Sequence, residues 1–139
     1  MSAISTIELR VRYAETDRMG VVYHANYLVW CDMARTEHLR QAGLSYRELE
    51  DRGVLLAVVE AEVRYRAAAR FDDLVRVRCW VREVASRRVA FGYVVERSGG
   101  ARLATARTSL IPLDSAYAPM LLPDRVRDAL VPVADPIRL

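Results

Sequence analysis

The chain has 139 residues, 53% of them hydrophobic and 28% charged, with a formal net charge of +3. That length and balance suit one soluble globular domain over residues 1–139 and exclude a disordered chain. No apolar run approaches the ~20 residues of a spanning helix, and no basic-then-apolar leader opens the chain. A cytoplasmic protein without membrane insertion is therefore expected.

The 21 basic residues are all arginine. Lacking lysine, the protein has no Schiff-base chemistry and no P-loop. The positive charge is modest, scattered and without an aromatic-and-basic stripe, so no nucleic-acid partner is expected; arginine forks suit an anionic small molecule better. Cys31 falls in an apolar helical segment and Cys79 alternates with valines. Both read as buried free thiols, and neither is spaced for a metal.

In chain order, Ile7, Leu9, Val11 and Tyr13 alternate with Glu8, Arg10 and Arg12, the period of a strand with one wet face. A loop runs to about Tyr23. Residues 26–42 lack proline and glycine and are followed by Gly43, which predicts a helix with a C′ glycine. Its first half (Tyr27, Leu28, Val29, Trp30, Cys31, Met33, Ala34) is apolar nearly all round, so protein should enclose it; its second half is mostly polar, placing His38 at the surface or an interface. Ser45 and Glu48 form a capping box for a short second helix ending at Gly53. Strands follow: one from Val58 to Arg66, one over 75–82, one over 89–95, and a return over 102–111 after the Ser98-Gly99-Gly100 turn. The proline-punctuated tail has room for a helix over 124–130. One long helix and five antiparallel strands make an α+β layer arrangement, with the sheet wrapped around the helix.

Chemistry concentrates in Asp17-Arg18-Met19-Gly20-Val21-Val22-Tyr23-His24-Ala25-Asn26-Tyr27. A carboxylate in a tight loop can face a helix N-terminus, where free N–H groups and the dipole favour negative charge. A carbonyl held between them would be polarised at oxygen and attacked at carbon. Taken alone, Asp17 reads as a turn residue, and Glu15-Thr16-Asp17 as a loop-ordering run. Glu37, about three turns along the helix, is too far for that oxyanion position and suits an i,i+3 pair with Arg40. No Gly-x-Ser-x-Gly elbow is present, and the two histidines, His24 and His38, do not form a zinc motif.

This segment, with Ala34-Arg35-Thr36-Glu37 and the element order, resembles the hotdog-fold acyl-CoA thioesterases of the 4-hydroxybenzoyl-CoA thioesterase family over nearly the whole chain. His24 is closer to the bacterial thioesterases encoded beside the Tol–Pal envelope system. One departure stands downstream: Ala67-Ala68-Ala69 follows Tyr65-Arg66, where many members have proline. The resemblance implies hydrolysis of acyl-CoA without metal or organic cofactor. Asp17 would be nucleophile or general base, His24 a supporting residue, and the helix start at Tyr23 and His24 the source of an oxyanion N–H. Asn26 would join the substrate site, and Tyr27, Val58 and Val59 would line an acyl tunnel. It further implies homodimers with joined sheets, homotetramers, and CoA or an acyl carrier protein as carrier. Arg87 and Arg88, at a strand turn, are candidates for the CoA phosphates, with Arg64 and Arg66 as rivals. Two other classes remain open: a hotdog enoyl-thioester hydratase or dehydratase, although no Asn-Pro lies between Asp17 and His24, and a non-catalytic acyl-thioester-binding protein.

Overall fold

A computed structural model describes residues 3–139. Strand β1 (Ile4–Arg10) leads through a single 3-10 turn (Tyr13–Glu15) and a loop into α1 (Asn26–Gln41). Then come α2 (Tyr46–Asp51), β2 (Leu55–Tyr65), β3 (Leu74–Ala85), β4 (Arg88–Arg97), β5 (Arg102–Leu113) and α3 (Asp124–Ala129). The strands form one antiparallel five-stranded sheet in the order β1-β3-β4-β5-β2, and α1 packs against β1, β3 and β4. The α+β arrangement expected from the pattern is the one observed. Register shifts at Val58/Glu60, Val81/Glu83 and Val95/Glu96 mark bulges, which bend strands and tighten sheet twist.

Element types follow the sequence pattern; several boundaries and faces do not. β1 starts three residues earlier than its alternation suggests, through pairing of Ile4–Thr6 with β3, and ends three earlier because Glu15 captures the Arg12 N–H (2.9 Å) and coils residues 13–15. Tyr13 is consequently exposed instead of facing the core. β2 begins at Leu55, before the expected Val58, and its bulge resets which side chains face inward.

The helix corrects two expectations. Val29 (49% exposed) and Met33 (48%) are open, so the chain itself does not enclose the apolar first half. In the polar second half, Arg35 and His38 are buried, whereas the pattern places His38 at the surface or an interface. The inward face runs Tyr27, Trp30, Cys31, Ala34, His38 at helical spacing, so His38 must sit between α1 and the sheet. There its Nδ1 meets Ser5 Oγ of β1 at 2.7 Å and its ring stands edge-on to Phe91. The expected Glu37–Arg40 pair is present, and Cys31 and Cys79 are buried free thiols.

Burial lowers the His38 pKa, against a raising contribution from its bond with the Cys79 backbone. The unfolded chain then binds a proton at higher pH than the folded one. Stability is fully present above about 6.5, the ordinary histidine value, and is lost as pH falls through the depressed folded value. Thermal melts from pH ~7.5 to ~5.5 should show Tm falling, and falling less steeply in His38→Gln; parallel profiles would remove His38 as the cause.

The tail crosses the outer sheet face. The Val133 N–H bonds Val81 C=O at 3.0 Å, and Asp135 accepts from the Trp80 indole (2.9 Å) and from Arg82. Trp80, on the face that local alternation makes wet, is thus fully buried.

Candidate active site

The loop between the 3-10 turn and α1 is closed on itself. Asp17 N–H bonds Val21 C=O, and Gly20 N–H bonds Asp17 C=O, both at 2.9 Å. Gly20 has φ +79°, a conformation costly for any side chain, so glycine makes this turn available. Asp17 Oδ1 accepts the Met19 N–H at 2.9 Å. One carboxylate oxygen therefore orders the turn, as the structural reading of this residue holds. Oδ2 has no hydrogen-bond partner among the described residues, and Asp17 lines a cleft of about 320 Å³.

Glu15 ties this loop to the helix. Its buried carboxylate accepts from the Trp30 indole (2.7 Å) and from the Arg12 N–H, with the Arg12 guanidinium 3.5 Å away. Burial works to raise its pKa, yet these donors together hold it below the ordinary carboxylate value. Its carbonyl accepts twice more, from the Tyr23 N–H and from Asn26 Nδ2, each at 2.9 Å. Asn26 is therefore a brace between loop and helix and does not line the cleft.

Those bonds decide which helix-terminal donors remain open. The Tyr23 N–H is committed to Glu15, while the N–H groups of His24 and Ala25 meet no acceptor among the described residues. The Tyr27 N–H reaches His24 C=O only at 3.4 Å. Of the expected pair Tyr23 and His24, only His24 keeps a free N–H, at the start of a 16-residue helix.

The cleft is walled by Asp17, Met19, Val22, His24, Tyr27, Tyr65, Arg66 and Ala68, among others. Tyr65 donates from Oη to His24 C=O (2.8 Å), fixing the helix start to the end of β2. Tyr27 Oη accepts the Ala69 N–H (3.0 Å). Burial raises the pKa of both phenols, so they stay neutral near pH 7. The Tyr23 ring tilts against the His24 ring, 4.5 Å between centroids. Tyr65 carried no site signal in the sequence beyond its place in the Tyr65-Arg66 pair.

Asp17, His24 and Tyr27 thus share one cleft, and other expected residues do not. Val58 lies in a separate cavity of about 330 Å³ with Leu28, Val29, Asp32 and Arg35. Val59 is 53% exposed on the outer edge of β2. Neither lines the Asp17 cleft within one chain, because β2 reaches the helix start only at its Tyr65 end. Arg88 donates from Nη2 to Glu60 (2.9 Å) and Ser109 (2.8 Å), and Arg87 is exposed beside it at the β3–β4 turn. Both sit toward the opposite end of β2 from Tyr65.

The sequence of residues 11–130 matches the family model described as Thioesterase-like superfamily. The chain belongs to that superfamily. Among thioesterase-like relatives, the Bacillus subtilis protein YneP is 36% identical over 111 residues, 80% of each chain. The 1,4-dihydroxy-2-naphthoyl-CoA hydrolase of Thermosynechococcus vestitus is 32% identical over 128 residues, 91% of this chain and 81% of its own. The DHNA-CoA thioesterase of Staphylococcus aureus superposes with a TM-score of 0.83 and 32% identity, covering 86% of this chain and 80% of that one. The thioesterase-like fold is thereby shared over most of the helix and sheet.

Proposed function

We propose that this thioester hydrolase cleaves acyl-CoA to free acid and CoA in the Asp17 cleft. The observation that carries the reading is that Asp17, whose Oδ2 has no bond, and His24, whose N–H has none, line the same cleft. The thioester oxygen accepts the His24 N–H, reinforced by the α1 dipole, and such a donor is worth ~3 kcal/mol in the transition state. Oδ2 either takes a proton from the attacking water or attacks the carbonyl carbon itself, forming an anhydride that water then opens. In both routes the C–S bond breaks, the electron pair leaves on sulfur, and water supplies the acid's new oxygen. A thiol pKa near ~8.5 makes the leaving group undemanding, so the His24 ring has a supporting role.

A second copy of the chain completes this site. β2 ends the sheet order, and its free edge with Val58, Val59, Val29 and Met33 presents apolar side chains about half exposed. A partner's edge laid there covers this surface and brings Val58 and Val59 to an acyl site that one chain leaves open. Light scattering at micromolar concentration should give a multiple of 15.8 kDa; a monomer would remove this arrangement. The finer placement beside the Tol–Pal-associated thioesterases rests on His24 alone. A cytoplasmic setting fits CoA chemistry and two reduced thiols.

Thiol release from a panel of short, long and aromatic acyl-CoAs tests the function and sets the acyl preference. Turnover of at least one class is expected, and an aromatic ester belongs in the panel because one relative is named a 1,4-dihydroxy-2-naphthoyl-CoA hydrolase. No thiol from any ester would overturn the proposal.

A further inference from the structure

A second cavity, about 450 Å³, opens beside the cleft and shares Tyr65 and Arg66 with it. Four arginines line it: Arg64 and Arg66 at the end of β2, Arg102 at the start of β5, and Arg138 from the tail. Many arginines of this protein are paired with a carboxylate, among them Arg76 with Glu8, Arg82 with Asp135 and Arg97 with Asp73. Arg66, Arg102 and Arg138 have no carboxylate partner among the described residues. Arg64 meets Glu62, whose other oxygen is held by Arg107. Glu96, opposite Arg102 in the β4–β5 register, is turned to Arg78 at 3.0 Å. The pocket therefore gathers four guanidinium groups, three of them without a carboxylate partner among the described residues, next to the cleft proposed for thioesters.

We infer that this pocket is an anion site that holds a phosphate of the thioester carrier while its pantetheine arm lies in the Asp17 cleft. The inference rests on the proposed function and specifies the carrier end of that site. Planar guanidinium forks bind phosphate oxygens in pairs, and several around one pocket give specificity for a multiply charged group. Arg66, common to both cavities, marks the passage between them. Arg88, expected from the sequence to do this work, is instead engaged by Glu60 and Ser109. A pantetheine phosphate is common to CoA and to the prosthetic arm of a carrier protein; CoA carries further phosphates on its nucleotide.

The test uses Arg102→Gln/Arg138→Gln, which leaves Arg66 and the cleft intact, against three esters of one acyl group: CoA, 4′-phosphopantetheine and pantetheine. KM for the CoA ester should rise roughly ten-fold with kcat unchanged, KM for the pantetheine ester should not move, and the difference should shrink in ~1 M salt. A parallel rise with the phosphopantetheine ester assigns the pocket to the arm's phosphate; a rise confined to the CoA ester assigns it to the nucleotide's. An equal rise with the pantetheine ester, or none with any, overturns the anion site. Calorimetric titration with free CoA gives the same comparison without turnover: weaker binding by the double variant supports the site, and equal binding rejects it. Failure of hydrolysis itself would count against the proposed function and leave the calorimetric result to decide the phosphate site.

Discussion

Asp17→Asn should lower kcat for acyl-CoA hydrolysis at least ~100-fold while Tm stays near that of the wild type. Asparagine keeps the size of the side chain, and its Oδ1 can still accept the Met19 N–H that orders the turn. What disappears is the charge of a carboxylate that lines the cleft, and with it both nucleophile and base. The contrast is Glu37→Gln. Glu37 is paired with Arg40 on the helix surface and lies outside the cleft, so its loss should leave turnover within about two-fold. Near-normal kcat in Asp17→Asn would remove Asp17 from the mechanism, and a collapse in Glu37→Gln would move the catalytic carboxylate to the helix.

Glu15→Ala should have the largest combined effect on fold and rate. The Glu15 carboxylate is buried and satisfies the Trp30 indole and the Arg12 N–H. Truncation leaves the buried Trp30 indole without a partner, at roughly 1–3 kcal/mol, and releases the part-buried Arg12 N–H at a smaller cost. A fall in unfolding free energy of about 2–4 kcal/mol is expected, read from urea titration. The same change loosens the Glu15 carbonyl, which holds the Tyr23 N–H and Asn26 in place. Donor and carboxylate then lose their fixed relation, so kcat should fall as well, with Trp30→Phe giving a milder version of both effects. A Glu15→Ala variant as stable as the wild type would show that the loop is organised by other contacts.

How much of this was readable beforehand differs by element. Helix α1 was legible because its signals are local: residues 26–42 hold no breaker, and Gly43 follows the last turn. The five strands were legible from alternation and from the Ser98–Gly100 turn. Strand faces were less so. Bulges in β2, β3 and β5 exchange inward and outward positions without any local mark. Trp80 lies against Gly92 and beneath a tail 55 residues further on, which supplies Asp135 to its indole. His38 looks like a surface residue beside Glu37 and Arg40; its buried state depends on Ser5 from the other end of the chain.

The site divides the same way. Asp17, Gly20 and His24 lie within one short segment whose spacing carries the signal. Which N–H is free could not be read, because the answer depends on the Glu15 carbonyl having taken Tyr23 first. Val58, Val59, Arg87 and Arg88 were placed by topology without a register, and the register sends them away from Tyr65. The cationic pocket depends on Arg138 returning to β2 and β5, a tertiary event with no counterpart in local pattern.

Three activities compete for the Asp17 cleft: hydrolysing a thioester, hydrating an enoyl group, or only holding an acyl chain. The most direct measurement gives the wild type an α,β-unsaturated acyl-CoA of the chain length preferred in the panel and follows both the thiol and the acyl product. Hydrolysis predicts free CoA and unsaturated acid in equal amounts, with the double bond untouched. A 3-hydroxyacyl thioester with no thiol released, or unchanged substrate bound to the protein, would contradict it.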